Sequence, residues 1–346
     1  MNVNEMQSFV DGLPFPVVVI GGDEKIKAKN CEARQLLAQD GLGRHYITGL
    51  RQPGVLDAVE ACFKTRETQR CRYLGHESGR DTTWQVSVAS VVLDKQRGAI
   101  LSFEDVTAVE EAGQMRRDFV ANVSHELRTP LTALVGFIET LKGPARDDEQ
   151  ARDRFLGIME NEAGRMARLV DDLLSLSKVE EEERVRPMDN VEIAGLIQSV
   201  GDLLTPLAQK SDLTLDVQTP VEDIEIRGQD EQLRQVMTNL IENAIKYGAS
   251  GGKVQVRLSG PQPEPALRTE GVRISVRDFG EGIMPHQIAR LTERFYRIDD
   301  HRSREVGGTG LGLAIVKHIV SRHRGRLRIE SVLGEGTCFT VVLPLS

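Results

Sequence analysis

This 346-residue chain has no long apolar run and no surplus of basic residues, and its first residues do not show the pattern of a secretory leader. The run Pro16–Ile20 is much shorter than the ~18 residues that a membrane-spanning helix needs, and it is typical of a buried strand. The formal net charge of -8, without a basic block or stripe, argues against nucleic-acid binding. The N-terminus has neither the basic nor the hydrophobic region of a signal peptide, so we predict that the chain is not exported.

Cysteine is also scarce. Cys31, Cys62, Cys71 and Cys338 show no CxxC spacing and no nearby histidine, which argues against a zinc site. The pattern predicts reduced, packed thiols in a reducing compartment. The hydrophobic content of 40% and the charged content of 28% are ordinary for a soluble protein. We therefore expect a cytoplasmic chain of two or three domains, each with its own core.

The first hundred residues mix helical and strand-like periods. Strands are predicted near residues 16–20, 83–89 and 98–104, and helices near 30–39 and 56–66. Small helices followed by a run of strands predict a compact α+β domain over residues 1–105.

A histidine lies off the buried face of a long helix that is predicted to end near Lys142. The apolar positions of that face are Val120, Val123, Leu127, Leu131, Leu134, Ile138 and Leu141. His125 is two residues from both Val123 and Leu127, so we expect its imidazole to point into solvent. A neutral imidazole is a good nucleophile, and Glu126 and Thr129 nearby indicate a reactive site. Taken alone, such a histidine is more simply a solvated surface residue.

A second helix with a heptad pattern follows the loop Gly143–Asp148. Its seam comprises Phe155, Met159, Glu162, Met166, Leu169, Leu173 and Leu176, of which Glu162 is the polar exception. Two helices cannot enclose a core alone, so we predict pairing with a second copy in a homodimeric four-helix bundle. Packing on the flanking domains is the alternative. The run Glu180–Glu183 is interpreted as a solvated linker that ends a domain of residues 106–183.

Three polar residues share one face of a helix that is predicted over Asp230–Tyr247. Asn239, Asn243 and Lys246 are spaced i, i+4 and i+7. Amide oxygens can bind Mg²⁺ together with phosphate oxygens and water, and a lysine supplies charge for phosphate. Individually, these residues would equally form a solvated stripe.

Three glycine-containing motifs follow that helix. Asp278–Gly282 ends a strand-like run, where an aspartate can accept a hydrogen bond from an exocyclic amine; a plain turn is the alternative. Its glycines allow the backbone to approach a flat ring closely. Gly307–Leu313 precedes a helical run, whose free N–H groups can bind a polyphosphate. Gly334–Thr337 is either a simple hairpin turn or a further nucleotide contact.

An arginine-rich segment lies between these motifs. It contains Arg290, Arg294, Arg297, Arg302 and Arg304. We predict a mobile lid over phosphates, although individual arginines there could simply be solvated. Pro261–Pro265 is predicted to be a loop insertion between two strands.

Together, five blocks from about Asp105 to the C-terminus resemble the sensor histidine kinases of two-component systems. SHELRTPL, NLIENAIKY, DFGEGI, RFYR and GGTGLGL are similar to that family's H, N, G1, F and G2 boxes. The pattern resembles the phosphate-regulon sensor kinases in particular, and the first hundred residues resemble a PAS domain. The resemblance implies a multidomain fold: a PAS-like sensor, a dimeric four-helix bundle with one helical hairpin per chain, and an α/β two-layer sandwich over residues 184–346. This last domain would bind ATP, as in gyrase and Hsp90.

The resemblance also implies a chemistry. His125 would be phosphorylated from ATP and would pass the phosphoryl group to an aspartate of a response regulator. Glu126 would act as general base, and Thr129 would help to position water for dephosphorylation of the regulator. The family places Mg²⁺ on Asn239 and Asn243. It places the remaining ATP contacts on Lys246, Tyr247, Asp278, Gly280, Gly282, Arg297, Gly308, Thr309, Gly310, Leu311 and Gly312.

Family members usually carry transmembrane helices before the sensor. We expect a soluble sensor here, and a membrane anchor remains the alternative if preceding segments were removed. Two other functions compete with the kinase: a plain ATPase of the same nucleotide fold, and a scaffold that senses a ligand and docks partners. The ATPase hypothesis predicts that His125→Ala leaves ATP turnover intact.

Overall fold

The structure is a computed structural model, and it divides into two compact units, residues 1–121 and 122–346. It describes residues 3–37, 41–77, 79–93, 96–182, 185–220, 224–298 and 308–345. Within these ranges no helix combines the length and the apolar content that crossing a membrane requires.

The first unit is built on a five-stranded antiparallel sheet. Its strands are β1 (Val17–Ile20), β2 (Ile26–Lys29), β3 (Gln69–Glu77), β4 (Arg80–Leu93) and β5 (Gln96–Asp105), and its short helices are α1 (Val3–Asp11), α2 (Cys31–Leu36), α3 (Tyr46–Gly49) and α4 (Pro53–Thr65). The strand order is β2-β1-β5-β4-β3. Apolar residues of α2, α3 and α4 form one core with the sheet, and Met6 and Val10 of α1 form a second. This α+β fold agrees with the predicted class.

Asn30 fixes the start of α2. Its buried side chain accepts N–H bonds from Val17 at 2.9 Å and from Ala33 at 3.1 Å. The same amide donates to the carbonyls of Leu13 and Phe15. An N-cap that also binds the preceding loop therefore ties α2 to the first strand.

The long helix α5 (Thr107–Lys142) begins directly after β5. The Asp105 carboxylate accepts the Thr107 N–H at 2.9 Å, and the bonds from Thr107 hold the pKa of Asp105 below its usual value. The Thr107 hydroxyl in turn accepts the N–H of Thr83 at 2.9 Å. The first turn of α5 is thus fastened to β4.

Two ion pairs fasten the next residues of α5. Arg72 of β3 lies 2.7 Å from Glu110, and Arg80 of β4 lies 2.7 Å from Glu111. Arg80 donates to both oxygens of Glu111.

Helix α6 (Glu149–Glu181) pairs with α5 and completes the predicted hairpin. Asp148 caps α6 by accepting the Ala151 N–H at 2.9 Å. The rings of Phe137 and Phe155 pack across the hairpin with centroids 5.3 Å apart. Large apolar side chains nevertheless stay exposed on its outside: Leu131, Val135, Leu156, Val170 and Leu174.

The acidic run at the end of α6 is not simply solvated, which corrects the sequence interpretation. Glu180 bonds to Arg294 and lies 3.6 Å from His318. Glu182 pairs with Arg322 at 2.9 Å. These carboxylates contact the C-terminal part because arginines there lie opposite the end of α6. Residue 183 lies outside the described ranges.

The C-terminal part is a two-layer α/β sandwich, as predicted. Its elements are β6 (Asp189–Glu192), α7 (Ile193–Lys210), β7 (Thr214–Gln218), β8 (Glu225–Gly228), α8 (Asp230–Tyr247), β9 (Lys253–Glu264), β10 (Thr269–Asp278), α9 (Pro285–Ile288), α10 (Gly312–Arg322), β11 (Arg326–Val332) and β12 (Gly336–Pro344). The main sheet has the order β11-β12-β10-β9-β7, with β7 parallel to β9. Helix α8 packs between α7 and α10 over this sheet.

The predicted loop insertion Pro261–Pro265 is largely strand, which is a second correction. Strands β9 and β10 continue past it, with a bulge between Gly271 and Arg273. Glu264, 2% exposed, also binds Arg273 of β10 at 3.0 Å. Only a short turn between β9 and β10 remains outside the strands.

Candidate functional site

His125 lies on the exposed side of α5, with half-buried Val123 and Leu127 on either side in the sequence. One turn later, the exposed Thr129 donates its hydroxyl to the His125 carbonyl at 3.2 Å. Pro130, which lacks an N–H, follows within the helix and is buried. The imidazole is therefore presented on the exposed side of a continuous helix and is accessible to a reactant.

Glu126 is held by two arginines from different parts of the fold. Its Oε2 accepts from Nη2 of Arg165 on α6 at 2.9 Å and from Nη2 of Arg297 at 3.1 Å. Arg297 is 5% exposed, and its Nε is buried without a partner among the described residues. Arg297, expected at a phosphate, thus contacts the hairpin in this arrangement.

The polar face of α8 lies beside the glycine-rich loop. Asn239 donates from Nδ2 to the Gly312 carbonyl at 3.3 Å, which joins two of the predicted motifs. Asn243 is half-buried on the same helix, and Tyr247 is exposed at its end. Lys246 pairs with Glu242 at 3.1 Å.

Asp278 ends β10 in a buried turn. Its Oδ1 accepts the N–H of Gly280 at 3.0 Å and that of Thr337 at 3.2 Å, which leaves Oδ2 available to a ligand. Burial raises the pKa of Asp278, partly offset by these bonds. Gly282 and Gly336 have positive φ values of 72° and 101°, a region that favours glycine. The Gly334–Thr337 segment forms the turn between β11 and β12, and its Thr337 lies beside Asp278; a nucleotide contact of this turn stays a prediction.

The glycine-rich loop leads into α10. Gly310 has φ 74°, and its carbonyl accepts the Phe295 N–H at 2.9 Å. The Thr309 hydroxyl donates to Oδ2 of Asp172 on α6 at 2.6 Å and accepts the Leu311 N–H at 3.3 Å. Burial raises the pKa of Asp172, and the Thr309 bond opposes that shift.

The described residues include only part of the predicted lid. The guanidinium of Arg290 lies 4.3 Å from the centroid of the Tyr296 ring. Arg302, Arg304 and Gly307 lie outside the described residues, so the lid stays a prediction.

Three residues that form contacts around the candidate site were not predicted from the sequence: Arg165, Asp172 and Arg322. Arg322 donates to the carbonyls of Glu182 and Val185, and to Gln229. None of these residues belongs to a motif. The polar Glu162 in the heptad seam was the nearest signal, because Arg165 lies 3.9 Å from it.

Comparison with known families identifies two domains. Residues 115–182 match the His Kinase A (phospho-acceptor) domain, and residues 228–346 match the histidine kinase-, DNA gyrase B-, and HSP90-like ATPase family. Both matches fall on the segments that carry the predicted boxes. The predicted borders at residues 105 and 183 stay a prediction.

Curated relatives are sensor kinases. The phosphate regulon sensor protein PhoR of Pseudomonas aeruginosa is 41% identical over 254 residues, which cover 72% of this chain and 55% of the relative. Sensor histidine kinase WalK of Bacillus subtilis is 38% identical over 71% of this chain and 39% of its own. The chain thus spans about half or less of these two proteins.

Two further comparisons cover nearly the whole chain. The crystal structure of histidine kinase ThkA in complex with response regulator protein TrrA matches 98% of both chains, with a TM-score of 0.53 and 24% identity, and thus supports the fold. Sensor protein kinase WalK of Staphylococcus aureus is 37% identical over 92% of this chain and 76% of the relative. With an exposed histidine in the phosphoacceptor domain and the nucleotide-type sandwich behind it, the chain belongs to the sensor histidine kinases of two-component systems.

Proposed function

We propose that this chain transfers the γ-phosphoryl group of ATP to His125 and then to an aspartate of a response regulator. An imidazole nitrogen of His125 attacks the γ-phosphorus, the bond to the β-phosphate oxygen breaks, and ADP leaves. Glu126 takes the imidazole proton. One observation carries the proposal: Glu126, next to the exposed His125, contacts Arg297 of the nucleotide-type sandwich at 3.1 Å.

The nucleotide site is proposed around Asp278 and the glycine-rich loop. Oδ2 of Asp278 would accept the adenine amine, while Oδ1 holds the turn in place. Gly280 and Gly282 would line the ring. The phosphates would lie at the start of α10, where the backbone of Gly308, Thr309, Gly310, Leu311 and Gly312 offers N–H groups. Lys246, Tyr247 and Arg297 would add contacts to the phosphates.

The donor set around α8 suits Mg²⁺ that is bound together with phosphate. Asn239 and Asn243 would hold the ion through their amide oxygens, which are hard ligands of the kind that Mg²⁺ uses. The described residues contain no cluster of three or more acidic, histidine or cysteine ligands. The ion would neutralise charge on the phosphates.

The contacts of the hairpin compete with this use of the site. Arg297 and Thr309 are bonded to Glu126 and Asp172, so phosphates have to displace two hairpin carboxylates to reach them. We infer that the described arrangement is a resting one. Nucleotide binding would release the sandwich to bring its γ-phosphate to His125.

The wider role is proposed from the same site. Two copies would pair through the exposed apolar side of the hairpin, and the receiver domain would dock near His125. Thr129, exposed one turn away, would position water for dephosphorylation of the regulator, giving a phosphatase activity. The first unit would act as a PAS-like sensor. Four free cysteines fit a reducing cytoplasm. We also propose phosphate-regulon signalling, on the basis of the similarity to PhoR.

The test is incubation of the chain with ATP labelled at the γ-phosphate, followed by addition of receiver domains. We expect an acid-labile phosphoprotein that His125→Ala abolishes and that a cognate receiver domain removes. His286→Ala, which alters another exposed histidine, is the matched control. ATP turnover that persists in His125→Ala without any phosphoprotein would favour a plain ATPase instead.

A further inference from the structure

The two guanidinium partners of Glu126 differ in their location. Arg165 lies on α6 of the same hairpin, whereas Arg297 lies in the sandwich, 171 residues away in the chain. We propose that Arg165 is the positioning residue of Glu126: it holds Oε2 and thereby leaves Oε1 to take the proton of His125. This inference rests on the proposed kinase function and assigns a role to a residue outside the five boxes.

The geometry of the pair suits this role. The Arg165 and Glu126 side chains are 13% and 20% exposed, and Nη2 lies 2.9 Å from Oε2. Partial burial reduces solvent screening, so the pair is stronger than an exposed one. Both bonds to Glu126 end on Oε2. A base needs an oxygen with a free lone pair, and Oε1 retains it.

The orientation of Arg165 is itself restricted. Its Nη1 lies 3.9 Å from Glu162, one turn earlier on α6, while Nη2 binds Glu126. A guanidinium is planar and carries its N–H donors in a fixed fork. The N–H donor to Oε2 is therefore held in one orientation.

Arg165, rather than Arg297, has to supply this support during the reaction. The Arg297 contact joins the hairpin to the sandwich, and the ATP phosphates would bind the same guanidinium. The Arg165 contact lies within the hairpin, so it persists when the sandwich moves. Without it, departure of Arg297 would leave a partly buried carboxylate unpaired and free to rotate away from His125.

The first test compares Arg165→Gln with the wild-type chain in autophosphorylation kinetics. We expect kcat to fall about tenfold with the KM for ATP unchanged within about twofold, because orientation and not nucleotide binding is lost. Arg165→Lys should recover part of the loss, since one charged donor reaches Oε2. The matched control, Arg168→Gln, alters an exposed arginine of the same helix and should leave kcat unchanged. An unchanged kcat, a change confined to KM, or a lysine variant as impaired as the glutamine variant would each overturn the proposal.

A second test separates a positioning role from a general structural one. In a Glu126→Gln background, Arg165→Gln should cause no further loss of the residual kcat, because it acts through Glu126. A further loss as large as in the wild-type background would overturn the proposal.

The third test requires no activity. The two single variants and the double variant should lower the melting temperature non-additively if the side chains interact. Additive shifts would overturn the contact. A wild-type chain that takes no phosphate on His125 would instead overturn the proposed function, and the melting data would still decide whether the pair exists.

Discussion

Asp278 divides its two carboxylate oxygens between the fold and the proposed ligand. Oδ1 accepts hydrogen bonds from the backbone N–H groups of Gly280 and Thr337, and burial raises the pKa of the Asp278 carboxyl. Such a division allows a substitution that alters recognition and spares the turn.

Asp278→Asn keeps an oxygen for the two N–H groups and can replace the other oxygen with an NH₂ donor. We expect ATP affinity to fall at least about tenfold, because two donors would then face each other without an acceptor. Displacement of a fluorescent ATP analogue measures the affinity, and thermal unfolding checks the fold. Asp202→Asn on the exposed side of α7, where Oδ1 accepts from Gln198, is the control. Equal affinities in both variants would remove Asp278 from the adenine site.

His323 makes stability depend on pH. It is 1% exposed; Nδ1–H donates to the Ile319 carbonyl at 2.7 Å, and Nε2 accepts the Gln229 N–H at 3.1 Å, which requires the neutral ring. Burial lowers its pKa below the usual 6.5. Below pH 6.5 the unfolded chain therefore binds a proton that the folded chain excludes, and stability falls as the pH falls.

We expect the free energy of unfolding to drop by up to about 1.4 kcal/mol per pH unit below pH 6.5 through this group. His323→Gln should remove that slope, and exposed His286→Gln should retain it. Urea unfolding between pH 5.5 and 7.5 measures the difference. Asp172 and Asp278, whose pKa values burial raises, act in the opposite direction, so the comparison between variants is decisive. Parallel curves for wild type and His323→Gln would contradict the prediction.

Residue patterns predicted the motifs well and the contacts between them poorly. His125, Asn239 and Asp278 stand in blocks whose spacing follows local structure. The bond between Asp172 and Thr309 joins residues 137 apart, and it depends on how the sandwich lies against the hairpin. Sequence periodicity predicts secondary structure but not such contacts, because the packing of two domains depends on the complementarity of their surfaces.

At the scale of elements, α5 is the longest helix among the residues that the structure describes. Its first turn is capped through Asp105, and Glu110 and Glu111 are paired with Arg72 and Arg80 of the sheet. A rotation of the first turns of α5 would therefore either break these two ion pairs or move the Arg72 and Arg80 side chains as well.

Insertion of one alanine after Val109 should rotate the rest of α5 by about 100° relative to the first turn. Both ion pairs to the sheet would be lost, and we expect the ratio of kinase to phosphatase activity to change. Phosphorylation and dephosphorylation of a receiver domain measure this ratio. One alanine inserted at Ala266, in the turn between β9 and β10, is the control. Unchanged activities in the first variant would exclude transmission through this helix.

The helices were easier to predict than the strands. A period of three to four residues predicted α8 with its observed bounds, Asp230–Tyr247. The prolines at 261 and 263 suggested a loop, yet β9 contains them. The pairing of β9 with β7 ends at Arg257, so the residues beyond it lie at a sheet edge, where missing N–H donors are tolerated.

At the scale of the whole molecule, the hairpin has an apolar side that one chain does not cover. Leu131 is 53% exposed, Val135 49% and Leu174 65%. Exposed side chains of this size on a helical hairpin are typical of an association surface.

We expect the chain to sediment with twice its mass of 38.4 kDa. Ile138→Glu on α5 should shift it towards the monomer, because a charge would be buried in the four-helix bundle. Leu203→Glu, at a 69% exposed position of α7, is the control and should stay dimeric. Sedimentation velocity measures both. A dimer that survives Ile138→Glu would favour the alternative in which the hairpin packs within its own chain.

Arg322 has a mechanical consequence. One guanidinium binds the carbonyls of Glu182 and Val185 together with Gln229, and with the contacts of Glu180 it joins the end of α6 to the sandwich. If the contacts of Arg297 and Thr309 with the hairpin carboxylates break while the Arg322 contacts remain, the sandwich would rotate about the end of α6. The distance from the end of α6 to the bound γ-phosphate would then determine which histidine that phosphate can contact.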